Sequence, residues 1–120
     1  MAKSTSLGVK RLVNAFKFSM QGLKAAYKGE EAFRQEVVAL VLAIPLAFWL
    51  GESAVEVALL IGSVLLVLVV ELVNSAIEAV VDRFGGELHE LSGQAKDMGS
   101  AAVLLISINA LIIWVAIIFF

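Results

Sequence analysis

The chain of 120 residues contains no cysteine, one proline and one histidine. Without cysteine there is no disulfide and no thiolate metal site, and a single imidazole cannot build a zinc centre. Charge is scarce as well. Only 17% of residues are Asp, Glu, Lys or Arg and 61% are hydrophobic, whereas a soluble domain carries about a quarter charged. A net charge of −2 does not argue for nucleic acid, and none is expected as a partner. Neither a GxxxxGK[ST] phosphate loop nor a protein-kinase glycine loop occurs. There is no internal repeat, linker or low-complexity tract, and the length fits one domain, residues 1–120.

What the chain does have is apolar blocks. The first, Val37–Leu50, has fourteen residues, about 21 Å of helix against a hydrocarbon core about 30 Å thick. It is expected to extend back through Glu36, Gln35 and Arg34, with Arg34 snorkelling to the headgroups, giving a first span at about 32–50. Pro45 lies inside it, which neighbouring helices tolerate in a membrane. More than thirty residues precede the block, too many for a cleaved signal peptide. "GES" at 51–53 reads as a turn, a second span follows at about 55–81, and a third at about 98–120 has no charge. Seven of the nine Lys and Arg precede the first apolar block, and the other two, Arg83 and Lys96, flank the 82–97 connection. The positive-inside rule then puts the N-terminus and 82–97 in the cytoplasm and the C-terminus on the far side.

Residues 9–28 have a different pattern. On a helical wheel Val9, Leu12, Val13, Phe16, Met20, Leu23 and Tyr27 share one side, and Lys10, Lys17, Lys24 and Lys28 share another. A basic amphipathic helix of about 7–28, suited to a membrane surface, is expected, with packing on a soluble partner as the alternative. The fold class is therefore all-α and membrane-embedded: three transmembrane helices and an N-terminal surface helix.

The second span ends in polar residues that hydropathy alone does not explain. Glu71, Asn74, Ser75, Glu78 and Asp82 fall within an arc of about 100° on one helix face. Carboxylates at that depth must meet water, a cation or a partner. Glu71 lies sixteen residues after Val55, about 24 Å along the axis and near the cytoplasmic edge of the hydrocarbon. Glu78 is two turns further, too far to ligate the same small ion easily, since Mg²⁺ holds its oxygens at about 2.1 Å. Glu78 therefore needs a partner from elsewhere: Glu30, Glu31, Glu36, Glu87, Glu90 or Asp97. The bland alternative is that the stripe only hydrogen-bonds helices together. Between the second and third spans lie Gly85, Gly86, Glu87, His89, Lys96 and Asp97; the lone His is an ordinary surface residue on base rates, and the glycine pair a turn. These residues describe a wet, acidic site at the membrane rim and name no substrate.

Three segments carry a resemblance: "EEAFRQE" at 30–36, "VELVNSAIEAVVDR" at 70–83 and "HELSGQAKDMGSAAV" at 89–103. Together they resemble the small integral-membrane diacylglycerol kinases of Gram-negative bacteria, over nearly the whole chain. The resemblance implies a homotrimer in the inner membrane that phosphorylates sn-1,2-diacylglycerol with MgATP to give phosphatidic acid. It implies Glu71 as general base and Glu30 and Glu78 as carboxylates for Mg²⁺. Arg11, Phe18, Glu87, His89, Lys96 and Asp97 match nucleotide-contacting positions, with Lys96 on phosphate. Asn74 and Ser100 match polar positions lining the site, and Arg11, Arg34, Glu36, Trp49 and Trp114 match positions on the lipid-substrate side. Phe18 departs from the family's Tyr, which removes a hydroxyl contact, and Met20 and Tyr27 stand where Trp can occur. Undecaprenol kinase is the nearest alternative. A small channel subunit is another, although it would need carboxylates across the midplane, where 57–70 offers only Gly62 and Ser63.

Overall fold

The computed structural model describes residues 8–84 and 90–120. These are all-helical: α1 Gly8–Gly29, α2 Glu31–Leu50, α3 Ala54–Asp82 and α4 Glu90–Phe119. The last three are long and apolar enough to cross a membrane. The 20 residues of α2 make about 30 Å of helix, one hydrocarbon thickness. The 29 of α3 and 30 of α4 make about 44 Å each, so both continue past the core into the interface.

The break between α1 and α2 has a local cause. Glu30 is extended, with φ −124° and ψ 114°, directly after Gly29. Its N–H still reaches Ala26 O at 2.9 Å, and its own carbonyl accepts from Arg34 N at 3.2 Å. Arg34 then turns its guanidinium back and donates to the carbonyls of Tyr27 (2.9 Å) and Lys28 (3.1 Å). The last carbonyls of a helix have no intrahelical donor, and a cation there also meets the negative end of the helix dipole. Arg34, expected to reach headgroups, is thus occupied in closing the end of α1.

The α2–α3 turn is equally specified. Gly51 N donates to Ala47 O at 2.8 Å, and a Cβ on Gly51 would come within 2.8 Å of Val57 Cγ2, so only glycine fits there. Ser53 caps α3: its Oγ accepts from Glu56 N at 3.1 Å, while Glu56 Oε1 accepts from Glu52 N at 2.9 Å. This is a capping box shifted one residue outward. Pro45 sits within α2 without ending it.

Helix α3 is central, packed along α2 on one side and α4 on the other, while α1 touches α2 and α3 lightly. Small residues let the backbones approach: Ala43 and Ala47 of α2 are buried, as is Leu60 of α3. Ala26, Phe33 and Leu68 form a second cluster where α1, α2 and α3 meet. At Gly99 of α4 a Cβ would overlap Asn74 Oδ1, so glycine sets the closest approach of α4 to α3. Further along, Trp114 Nε1 donates to Leu60 O (3.2 Å) and Ser63 Oγ (3.1 Å), and Ser63 Oγ donates to Leu60 O (2.9 Å). None of the residues in the most apolar stretch of α4 is buried. In water so much exposed hydrocarbon would be untenable; in lipid it is the natural outer surface.

One boundary differs from the sequence expectation. Residues 90–97, expected in the connection, form the first two turns of α4. Hydropathy marks where lipid contact begins, at Met98, and a helix that projects past the membrane has polar turns that hydropathy reads as loop. Lys96 and Asp97 are therefore held on a helix. Glu87 and His89, expected at the nucleotide, lie outside the described residues, as does the first residue of the expected 7–28 surface helix.

Candidate functional site

The polar stripe of α3 does not face lipid. Glu71 and Asn74 are buried, at 6% and 8% exposure, and Ser75 and Glu78 are half-buried. The side chain of Glu71 lies within interaction range of Glu36 of α2 and of Asn74, one turn along its own helix. Glu30 and Glu78 stand close enough to act electrostatically on Glu71. Four carboxylates from the α1–α2 joint, α2 and α3 therefore converge on one place. Like charges gathered in a low-dielectric setting repel, and such a cluster persists where a function or a counter-ion requires it.

The fold builds this convergence from simple parts. The extended residue between α1 and α2 presents Glu30, with Arg34 fixing the angle of the break. Glu36 lies on α2 one turn beyond buried Phe33, in the half-buried border of that helix. Glu71 follows buried Leu68 by three residues, so the packing of Leu68 into the core turns Glu71 inward too.

The accounting of polar atoms singles out the same place. Among the described residues, the buried side-chain oxygens without a hydrogen-bond partner are Glu36 Oε1, Asn74 Oδ1 and Ser75 Oγ. Buried polar atoms are nearly always paired, and groups left unpaired are concentrated where a protein does chemistry or binds a ligand. All three belong to residues on or against the stripe. Beside them a cavity of about 650 Å³ opens between α1 and α3, lined by Ser19, Gly22, Glu30, Leu72, Ser75 and Ala76 among others.

At the end of α3, Asp82 Oδ1 pairs with Lys96 Nζ across to α4 at 3.1 Å. The ammonium is thereby held over the last turn of the acidic stripe. Arg11 and Phe18 are exposed on α1, Asp97 and Ser100 are exposed on α4 directly after Lys96 and Gly99, and Trp49 is 78% exposed at the far end of α2. Trp114 does not join the cluster: its partner Ser63 is eight residues before Glu71, about 12 Å away along α3. Trp49 is thirteen residues from Glu36, about 20 Å along α2. The structure thus assembles Glu30, Glu36, Glu71, Asn74 and Glu78, with Lys96 nearby, and leaves the tryptophans elsewhere. Residues that sequence reasoning gave no role are Asp82, as the partner of Lys96, and Gly99, whose missing side chain admits Asn74. A Lys and an Asp of opposite charge on neighbouring helices was the only available signal for the first; nothing signalled the second.

Among the described residues no group of three or more His, Asp or Glu is arranged to cage a metal. Glu30 and Glu78, each close enough to act on Glu71, carry hard oxygen donors. Oxygen donors of this kind are compatible in chemistry with Mg²⁺, which commonly takes one or two protein carboxylates and completes its shell with phosphate oxygens and water.

Comparison with known proteins gives a consistent result. A family model described as prokaryotic diacylglycerol kinase matches residues 17–118. The chain is 57% identical over 114 residues to a diacylglycerol kinase of Escherichia coli, covering 95% of this chain and 93% of that one. It is 52% identical over 120 residues to one of Haemophilus influenzae, covering 100% of both. It is 47% identical over 107 residues to one of Helicobacter pylori, covering 89% and 84%. This membrane chain, with its buried Glu71 and the half-buried carboxylates around it, belongs to the prokaryotic diacylglycerol kinase family.

Proposed function

We infer that this protein is a diacylglycerol kinase, which transfers the γ-phosphoryl group of MgATP to the free hydroxyl of sn-1,2-diacylglycerol. Family membership supports the activity. The observation that supports the site is the buried cluster around Glu71, with its unpartnered oxygens, where α3 leaves the hydrocarbon. The acceptor hydroxyl lives at the membrane interface and the nucleotide in the cytoplasm, so a row of functional groups must cross that boundary.

The reaction divides along the stripe. Glu71 accepts the proton of the lipid hydroxyl as its oxygen attacks the γ-phosphorus; the bond from that phosphorus to the ADP oxygen breaks, and phosphatidic acid and ADP leave. Asn74 and Glu36, beside Glu71, hold its carboxylate in place. Glu30 and Glu78 would hold the Mg²⁺ of MgATP, which when bound would supply positive charge against the phosphate oxygens. Lys96 moves from Asp82 to a phosphate, exchanging one anion for another. Arg11, Phe18, Glu87, His89 and Asp97 contact the nucleotide. Ser100 lines the site, and Arg34, Trp49 and Trp114 border the lipid.

The same reading covers the setting. Leu12 and Phe16 of α1 are 71% and 68% exposed; as an amphipathic surface helix α1 rests these on the bilayer and turns its lysines to water. The protein sits in the inner membrane with its N-terminus and the 82–97 region cytoplasmic and its C-terminus periplasmic. It works as a homotrimer, for which the uncovered apolar length of α4 offers surface.

The test is phosphate transfer from labelled MgATP in mixed micelles with diacylglycerol and undecaprenol offered together. Labelled phosphatidic acid is the expected product. Label on undecaprenol would keep the site and replace the substrate, and transfer to neither by a folded protein would refute the assignment.

A further inference from the structure

Helix α3 carries two serines whose surroundings differ. Ser63 Oγ donates to Leu60 O at 2.9 Å and accepts from Trp114 Nε1 at 3.1 Å, the usual way a serine settles within a membrane helix. Ser75 Oγ is also buried, yet it bonds neither to a carbonyl of the preceding turn nor to any side chain. A buried hydroxyl left in this state costs stability, so the helix gains nothing structural from it.

Its position gives the reason. Ser75 lies four residues after Glu71 and three before Glu78, about 6 Å and 4.5 Å along the axis. With Glu30 it lines the cavity of about 650 Å³ between α1 and α3, whose wall at Gly22, Ala26 and Ala76 is made of small residues that leave room for a reactant. In the kinase reading, on which this step rests, the lipid oxygen approaches from the Glu71 side and the nucleotide phosphates from the Glu78 side. The phosphoryl group in transit passes between them, level with Ser75.

We propose that Ser75 is a catalytic residue whose hydroxyl donates a hydrogen bond to an oxygen of the transferring phosphoryl group. Rotation about its single χ1 bond moves Oγ between staggered wells, from its buried position toward the cavity. The bond strengthens as charge spreads over the phosphoryl oxygens, so it acts on turnover more than on ground-state binding. The hydroxyl keeps its own proton throughout, and the proton of the lipid still passes to Glu71.

The experiment compares wild type, Ser75→Ala and Ser75→Thr, measuring kcat, both KM values and the thermal midpoint in the same micelles. Ser75→Ala is expected to lose about 10- to 100-fold in kcat, with each KM within about threefold, as for removal of a transition-state donor. Its thermal midpoint should stay level or rise, because the change deletes an unsatisfied polar group. Ser75→Thr keeps the hydroxyl and should recover most of the turnover. A kcat for Ser75→Ala within about twofold of wild type would overturn the proposal. So would a lowered midpoint with activity that Thr does not restore, which would make Ser75 a structural contact. Absence of transfer by the wild type would instead bring down the kinase reading, and this role with it.

Discussion

Two polar clusters sit on α3, built from the same kinds of atoms. Around Leu60 and Ser63 the groups are mutually satisfied: indole N–H, hydroxyl and carbonyl close on one another. About three turns on, around Glu71, oxygens of Glu36, Asn74 and Ser75 are buried without partners and four carboxylates gather. The first arrangement is a tie between α3 and α4, complete in itself. The second leaves oxygens free to meet positive charge or hydrogen-bond donors. Burial of polar groups in a membrane protein thus has two meanings, and the pairing of the atoms tells them apart.

That contrast can be broken by mutation at either cluster. Glu71→Gln should lower turnover by about 100-fold or more, the usual cost of losing a general base, while preserving nucleotide binding; a steady-state assay with a parallel ATP-binding measurement checks this. Gly99→Ala comes next. The added methyl overlaps Asn74 Oδ1, which should cost about 1–3 kcal/mol by denaturation in micelles and reduce turnover by displacing Asn74 from Glu71. Ser63→Ala removes one acceptor of the Trp114 indole and leaves Leu60 O in place. It should cost about 1 kcal/mol of stability and leave turnover within about twofold. The smallest effect belongs to Asp82→Asn. Its pair with Lys96 is solvent-exposed, 43% and 63% by side chain, so the stability change should stay below about 1 kcal/mol and shrink further with added salt.

The same division explains what could be read before the structure. The stripe from Glu71 to Asp82 was legible because helical periodicity alone puts those residues on one face. That Glu36 and Glu30 complete it was legible only as a choice among six acidic residues, since the α1–α2 break that delivers them depends on Arg34 reaching back to the carbonyls of Tyr27 and Lys28. Arg34 next to an apolar block looks like a headgroup anchor, because hydropathy knows nothing of an unfinished helix end nearby. Residues 90–97 were assigned to a loop for a similar reason: polarity was taken for irregularity, where a helix continues beyond the lipid. The Trp114–Ser63 tie spans 51 residues, and nothing in local spacing pairs them. Ser75 stood on the wheel with the carboxylates, but only the absence of a partner distinguishes it from Ser63.

The most direct measurement is the rise in thermal midpoint on adding MgATP, taken for wild type, Ser63→Ala and Glu78→Gln. A ligand that binds the folded state alone stabilises it in proportion to its affinity. If the unpartnered cluster is the nucleotide end of the site and the satisfied one is scaffold, the rise persists in Ser63→Ala, from a lower baseline, and is lost or sharply reduced in Glu78→Gln. A rise unchanged in Glu78→Gln but abolished in Ser63→Ala would contradict the assignment of the two clusters.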